Sequence, residues 1–194
     1  MSKRTEHRAA ENEYFHVYNR GVGKRNLFDS RDNYSFLLSR MEDAFVAAET
    51  KIICYCLMPN HYHFLIQQLA HDGISRFMAL VCNSYAKAIN KQRGTTGHVF
   101  EGKYKIKHID TENYLLWLST YVHRNPKEAH LVPHCVDWEF SSLHDLAAGT
   151  LRGFLDADVV LSRFRSVSEY VCYVEDDAHI APDGATKYLF PELG

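Results

Sequence analysis

The sequence predicts an α+β fold: an antiparallel sheet with helices packed on one face, followed by a C-terminal extension of helices and loops. Three observations predict it. Hydrophobic periodicity switches between two and 3.6 residues in the order strand, helix, strand, strand, helix, strand, then a further helix. A Met58-Pro59-Asn60 turn separates two adjacent strand-like runs and makes them a hairpin. The 194 residues are 46% hydrophobic and 13% aromatic, which suits one packed core with appendages.

Each element has its own signature. "YFHVYNRG" (14–21) alternates aromatic and aliphatic side chains and stops at Gly21, as a first strand does. In "NLFDSRDNYSFLLSRMEDAFVAAET", Tyr34, Leu37, Leu38, Met41, Ala44, Phe45 and Ala48 line one helical face, with Ser30 placed as N-cap. "KIICYCL" (51–57) and "HYHFLIQQ" (61–68) form the hairpin strands. "GISRFMALVCNSYAKAINKQRG" reads as a second helix with Phe77, Leu80, Val81, Ser84, Tyr85 and Ala88 inward and Gly94 as its stop. "VFEGKYKIKHI" (99–109) is a fourth strand. Thr111 caps a third long helix, "ENYLLWLSTYVHRN", which is expected to end before Pro126 because the residue preceding proline disfavours helical geometry. This order is the ferredoxin-like split βαβ arrangement. "WEFSSLHDLAAG" and the remainder read as short elements wrapped on that core, with Trp138, Phe140 and Leu143 docking. The division falls at 14–136 for the core and 137–194 for the extension.

No apolar run approaches the roughly 18 residues that span a membrane, and "MSKRTEHRAAENEYF" has no apolar signal-peptide core, so a cytoplasmic protein is expected. The five cysteines sit in mostly apolar surroundings and read as reduced thiols. The net charge of −2 does not itself suggest a nucleic-acid partner, but its distribution does. Seven bases face one acid between residues 75 and 107, and eleven acids face four bases from 137 onward. That pattern reads as a basic binding surface plus an acidic tail, or as ordinary solvated faces.

The stretch with most chemistry is "CLMPNHYHFLI". In a strand, His61 and His63 share a face and Tyr62 points away. Two neighbouring imidazoles form half a metal site, and two buried core histidines would look the same. On the third helix, Tyr121 and Asn125 are four apart and share a face. A tyrosine can serve as nucleophile and an amide oxygen as ligand; each is also ordinary helix furniture. Lys103, Lys105 and Lys107 have period two and form a row that suits a phosphate backbone or a solvated strand edge.

Taken together, "FHVYNRG", "CLMPNHYHFLI", "GHVFEGKYK" and "YLLWLSTYVHRNPKEAHLV", in this order across about 14–142, resemble the REP-associated tyrosine transposases. Those are insertion-sequence-200-like, single-tyrosine members of the HUH endonuclease superfamily, where U is a hydrophobic residue. Here the triplet is His61-Tyr62-His63. The resemblance implies a catalytic domain over 14–136 with His61, His63 and Asn125 as ligands of Mg²⁺ or Mn²⁺. Tyr121 would be the nucleophile, forming a 5′-phosphotyrosine on single-stranded DNA with hairpin or palindromic elements. Tyr114, seven residues earlier, is the competing tyrosine, with Leu118 at its own i+4 position. Arg20, Lys103, Lys105, Lys107 and Arg124 are the expected DNA contacts, in a protein that is a monomer or homodimer and does not engage membranes. One departure stands out: relatives of this kind are usually basic, whereas this chain is slightly acidic.

Two other readings stay open. A domesticated relative would bind hairpins without cleaving them. Alternatively, Cys54, Cys56, His61 and His63 would hold a structural zinc ion on the hairpin. The acidic "YVEDDAHIAPDG", with Glu175, Asp176, Asp177 and Asp183, is expected to compete with DNA for Lys103, Lys105 and Lys107, or simply to be solvated.

Overall fold

The structure is a computed structural model that describes residues 11–150 and 152–178. The elements follow the expected order: β1 (Glu13–Arg20), α1 (Arg31–Ala48), β2 (Thr50–Met58), β3 (His61–Gln68), α2 (Gly73–Arg93), β4 (Lys105–Ile109) and α3 (Glu112–Glu128). Beyond a short 3₁₀ turn at Cys135–Asp137 lie α4 (Ser142–Ala148), α5 (Asp158–Leu161) and α6 (Val167–Glu175). The strands make one sheet in the order β2-β3-β1-β4, with every neighbouring pair antiparallel. That is the split βαβ order, and it puts β1 and β3 at the centre.

One face of the sheet is covered by the two crossover helices. Phe15 and Val17 of β1, Tyr55 and Leu57 of β2, and Tyr62, Phe64 and Ile66 of β3 meet Leu37, Leu38 and Met41 of α1 and Phe77, Val81 and Tyr85 of α2. Each large side chain so buried stabilises the fold by about 1.5–3 kcal/mol relative to exposure. The inward stripe of α2 is Ile74, Phe77, Met78, Val81, Tyr85 and Ile89, while Leu80 is 51% exposed. The expected stripe was therefore rotated by part of a turn: Ile74, Met78 and Ile89 are the larger apolar side chains, and burying them outweighs burying Leu80, Ser84 and Ala88.

The helices do not stop at that face. α3, α4, α5 and α6 cover the other one, where Ile53, Cys54, Cys56, Met58 and Leu65 meet Leu115, Leu118, Val122, Leu143, Val160, Tyr170 and Val174. A β-bulge between Ile52 and Cys54 turns Ile53 and Cys54 to this side together. The extension also closes the outer edge of β2. Leu57 N donates to Phe140 O (2.9 Å), Ile52 N donates to Phe154 O (2.9 Å) and Trp138 Nε1 donates to Leu57 O (2.9 Å). An edge strand with those groups exposed would be open to pairing with other chains.

Two boundaries differ from expectation. β4 begins at Lys105 rather than at residue 99; left-handed glycines at Gly97 (φ 109°) and Gly102 (φ 69°) turn the preceding chain, leaving only a bridge from Phe100 to Gly21. α3 starts as expected, with Thr111 Oγ1 accepting from Tyr114 N at 3.2 Å, but it runs through Pro126 to Glu128. Pro126 has no N–H for the carbonyl four residues earlier, so the helix runs through it with one intrahelical hydrogen bond fewer.

The acidic stretch at the end of α6 is docked against α3. Arg124 donates to Val174 O (3.0 Å), Asp176 O (2.9 Å) and Asp177 Oδ1 (2.6 Å), and Lys127 pairs with Glu175 and Asp177. Glu175 Oε1 also accepts from the backbone of Cys135 and Val136. The carboxylates of Glu175 and Asp177 thus have partners on α3, where Asp176 is held by its backbone carbonyl, while Asp183 lies outside the described residues. Among the described residues, no helix is long and apolar enough to cross a membrane.

Candidate active site

β3 sets the site. Tyr62 is buried under α1 and α2, so His61 and His63 project from the opposite face, toward α3. Their ring centroids are 5.1 Å apart at 87°. The turn before them is pinned: Leu27 N donates to Pro59 O (2.8 Å) and Gly21 N donates to Asn60 O (2.8 Å). Gly21 is required there, because a Cβ would lie 2.0 Å from Arg25 O.

α3 brings the other half. Tyr121 is half-buried, with its ring 5.8 Å from His63 at 81° and stacked on Trp117 at 5.7 Å. Asn125, one turn on, donates through Nδ2 to Tyr121 O at 2.7 Å, and its side chain hydrogen-bonds His61. A cleft of about 570 Å³ opens here, lined by His61, Tyr121 and Asn125 with Lys24, Asn26, Met58, Pro59, Asn60 and the 128–131 turn. Tyr114 is buried (6% exposed), stacks on the far side of Trp117 and does not line the cleft.

Burial dominates the electrostatics. It pushes the His61 imidazole down to about 4, with the Asn125 hydrogen bond opposing and the Arg20 charge assisting. His63 lies well below the ordinary histidine range, from burial first and then from the neighbouring His61 and His16. Both rings are therefore neutral at pH 7, the form that ligates a cation. Each Nδ1 is already engaged: His61 Nδ1 lies 2.7 Å from Asn60 Oδ1, and His63 Nδ1 lies 2.9 Å from His16 Nε2. Two imidazole nitrogens and an amide suit a divalent ion of intermediate hardness. Among the described residues, no group of three His, Cys, Asp or Glu side chains is placed to hold a metal. The four-ligand zinc reading is overturned on that ground. Cys54 and Cys56 do share this face, and burial pushes both thiols up.

The basic residues separate. Lys105 pairs with Tyr18 and Lys107 with His16 across the β1–β4 ladder, and both ammoniums lie about 6 Å from the Tyr18 ring (6.0 and 5.9 Å). They form a cationic margin two strands from His63. Lys103 precedes β4, with its ammonium 5.1 Å from the Tyr104 ring, so the expected row of three is a row of two. Arg20 grips Glu101 through Nε and Nη2, one edge of its guanidinium. Arg124 is turned to the C-terminal segment and Glu128, and does not line the cleft.

His16 is the residue that sequence reading missed. It is fully buried on β1 and touches His63, and burial with the Lys107 charge pushes it down to about 3. Its only signal was a histidine on the Tyr14–Tyr18 face of an aromatic strand, and nothing in the sequence says which strand pairs with β1.

A family model described as "Transposase IS200 like" matches residues 9–125, a span that contains His16, His61, His63, Tyr121 and Asn125. Among solved structures, a REP-associated tyrosine transposase bound to a REP hairpin shares this fold, with a TM-score of 0.61 at 18% identity over 77% of this chain and 86% of that one. A structure from Deinococcus radiodurans R1, described as a transposase candidate, matches at a TM-score of 0.41 and 15% identity over 60% of this chain and 92% of that one. A search of curated proteins found no match.

Proposed function

The chain belongs to the IS200-like transposase family, and from that premise we propose that it cleaves and rejoins single-stranded DNA at hairpin sites, with Tyr121 as the nucleophile. The observation that carries this reading is the convergence of Tyr121 and Asn125 from α3 on His61 of β3 in one cleft, with the buried His63 ring 5.8 Å from the Tyr121 ring. The hairpin bound by the structural neighbour supports the choice of DNA partner.

In this reading Tyr121 Oη attacks a phosphodiester phosphorus as the hydroxyl proton departs. The bond to the 3′ oxygen breaks, leaving a 5′-phosphotyrosine and a protonated 3′-OH. One phosphodiester is exchanged for another, so attack by a 3′-OH on the phosphotyrosine rejoins ends without a nucleotide cofactor. Trp117 holds the Tyr121 ring by stacking, and the Asn125 bond to Tyr121 O ties nucleophile and amide to one turn of helix. His61, His63 and Asn125 would hold Mg²⁺ or Mn²⁺, which supplies polarisation of the phosphate and offsets its developing charge. Because these donors are uncharged, the DNA phosphate brings the negative charge. Lys105 and Lys107 hold the strand beside the histidines, and Lys103 and Arg20 contact it farther out; Arg124 is withdrawn from the DNA-binding set. Residues 14–136 form the catalytic unit, and the extension begins at 137.

The test is incubation with labelled hairpin single-stranded DNA and Mn²⁺, reading covalent adduct on a denaturing gel. Adduct in the native chain and none in Tyr121→Phe supports the proposal. Hairpin binding with no adduct in either would establish the non-cleaving module instead.

A further inference from the structure

We propose that His16 is a positioning residue, which holds the His63 ring and its proton so that Nε2 carries the lone pair a metal ligand needs. This rests on the metal-site reading above. The two rings lie on the central strands, with centroids 5.1 Å apart at 21° and His16 Nε2 2.9 Å from His63 Nδ1. Tyr18 supports His16 from the side, its ring 4.7 Å away.

Two neutral imidazoles in hydrogen-bond contact have two arrangements. In one, His63 Nδ1–H donates to His16 Nε2, and His63 Nε2 carries a lone pair. In the other, His16 Nε2–H donates to His63 Nδ1, and His63 Nε2 carries a proton and cannot ligate. The partner at Nδ1 therefore decides whether His63 is a ligand at all. His61 has a matching arrangement, with its Nδ1 on the Asn60 Oδ1 acceptor. Each candidate ligand thus rests on its own partner, one from the turn and one from β1.

Packing alone does not account for His16. It is fully buried, and its Nδ1 has no hydrogen-bond partner among the described residues. An aliphatic residue would fill this position without burying an unsatisfied polar atom. The charged group facing it is Lys107, its cross-strand partner on β4.

The experiment has two readouts. In the metal-free protein at pH 7, ¹⁵N-edited imidazole spectra should show His63 as the Nδ1–H form. In His16→Leu that form should give way to Nε2–H, and in His16→Gln, whose amide oxygen reaches the same place, it should return. Titration with Mn²⁺ alone, followed by electron paramagnetic resonance, should weaken about 10–100-fold in His16→Leu and stay near the native value in His16→Gln. If native His63 is Nε2–H, or a folded His16→Leu keeps both tautomer and Mn²⁺ affinity, the proposal is wrong. Should His16→Leu not fold, the native spectrum and the glutamine variant decide. His63→Ala separates the two readings: unchanged Mn²⁺ affinity there removes the metal site itself, whatever the tautomer of His63.

Discussion

The two faces of the sheet are built on different chemistry. Under α1 and α2, the interior is mostly aromatic and aliphatic, with tyrosine hydroxyls such as that of Tyr85, which donates to Leu27 O at 2.7 Å, and buried amides such as Asn33, which donates to Gln92 Oε1 at 2.7 Å. Under α3, the interior holds His16, His61, His63, Ser119, His123, Asn125, Ser142 and Asp145. His123 sits within hydrogen-bond distance of Tyr170 Oη (2.9 Å) and Ser142 Oγ (2.8 Å), and Tyr170 Oη donates to Ser119 Oγ (3.1 Å). The Tyr55 hydroxyl reaches through to Asp145, which is also clamped by Arg152. Both faces bury apolar area, and the second adds a buried hydrogen-bond network. The difference teaches that the helix carrying the candidate nucleophile is fixed by directional contacts, which hold Tyr121 and Asn125 in place more tightly than apolar packing would.

That contrast can be broken on either side. The largest effect is expected on chemistry: Tyr121→Phe should reduce covalent adduct to background, with hairpin affinity within about twofold, because only a hydroxyl is removed and the ring still stacks on Trp117. Tyr114→Phe should keep the adduct; the reverse result would exchange the two assignments. Next in size is the apolar face. Phe77→Ala should cost about 3–5 kcal/mol in urea unfolding, through lost burial and the cavity left. On the polar face, His123→Leu should cost about 0.5–1.5 kcal/mol despite keeping apolar volume, since it removes one hydrogen-bond partner each from Tyr170 and Ser142, which keep Ser119 and the Tyr55 backbone. A cost near zero there would erase the distinction between the faces.

An effect comparable to that on the apolar face, spread over pH, follows from the same histidine. Burial holds the folded His123 at about 3, against an ordinary 6.5. The unfolded chain takes up the proton first, so this contribution is whole above pH 6.5 and declines as pH falls toward about 3. The slope is about 1.4 kcal/mol per pH unit for this group. In His123→Gln, stability between pH 6.5 and 4 should fall less steeply than in the native chain by that amount; an unchanged slope would mean His123 is not the group responsible. The smallest expected effect is at Leu80, half exposed on the outer side of α2, where Leu80→Glu should shift stability by no more than about 0.5 kcal/mol.

Element order, the hairpin turn, the Thr111 cap and the Gly94 stop were legible because they are local: periodicity, punctuation and capping act within a few residues. The paired faces of His61 with His63, and of Tyr121 with Asn125, were legible for the same reason. What escaped the sequence depends on contacts between distant segments. His16 meets His63 only because β1 lies beside β3, 47 residues away. Arg124 was expected on DNA because its partners, at 174–177, come from a helix whose docking surface does not exist until the sheet forms. The second helical layer was missed because β2 is apolar on both faces, a pattern that shows burial without saying what covers it.

The alternation along β3 has a genetic consequence. Tyr62 faces one layer while His61 and His63 face the other, and β3 is hydrogen-bonded on both edges, to β2 and β1. Loss of a single codon between Pro59 and Phe64 would exchange odd for even positions and carry an imidazole into the apolar layer and an aromatic into the cleft. A frame-preserving deletion elsewhere, for example in the 95–98 turn outside any helix or strand, changes only a connection. Along this gene, tolerance to length change should therefore collapse over the few codons of the hairpin and recover within the loops, a pattern that deep insertion and deletion scanning would display.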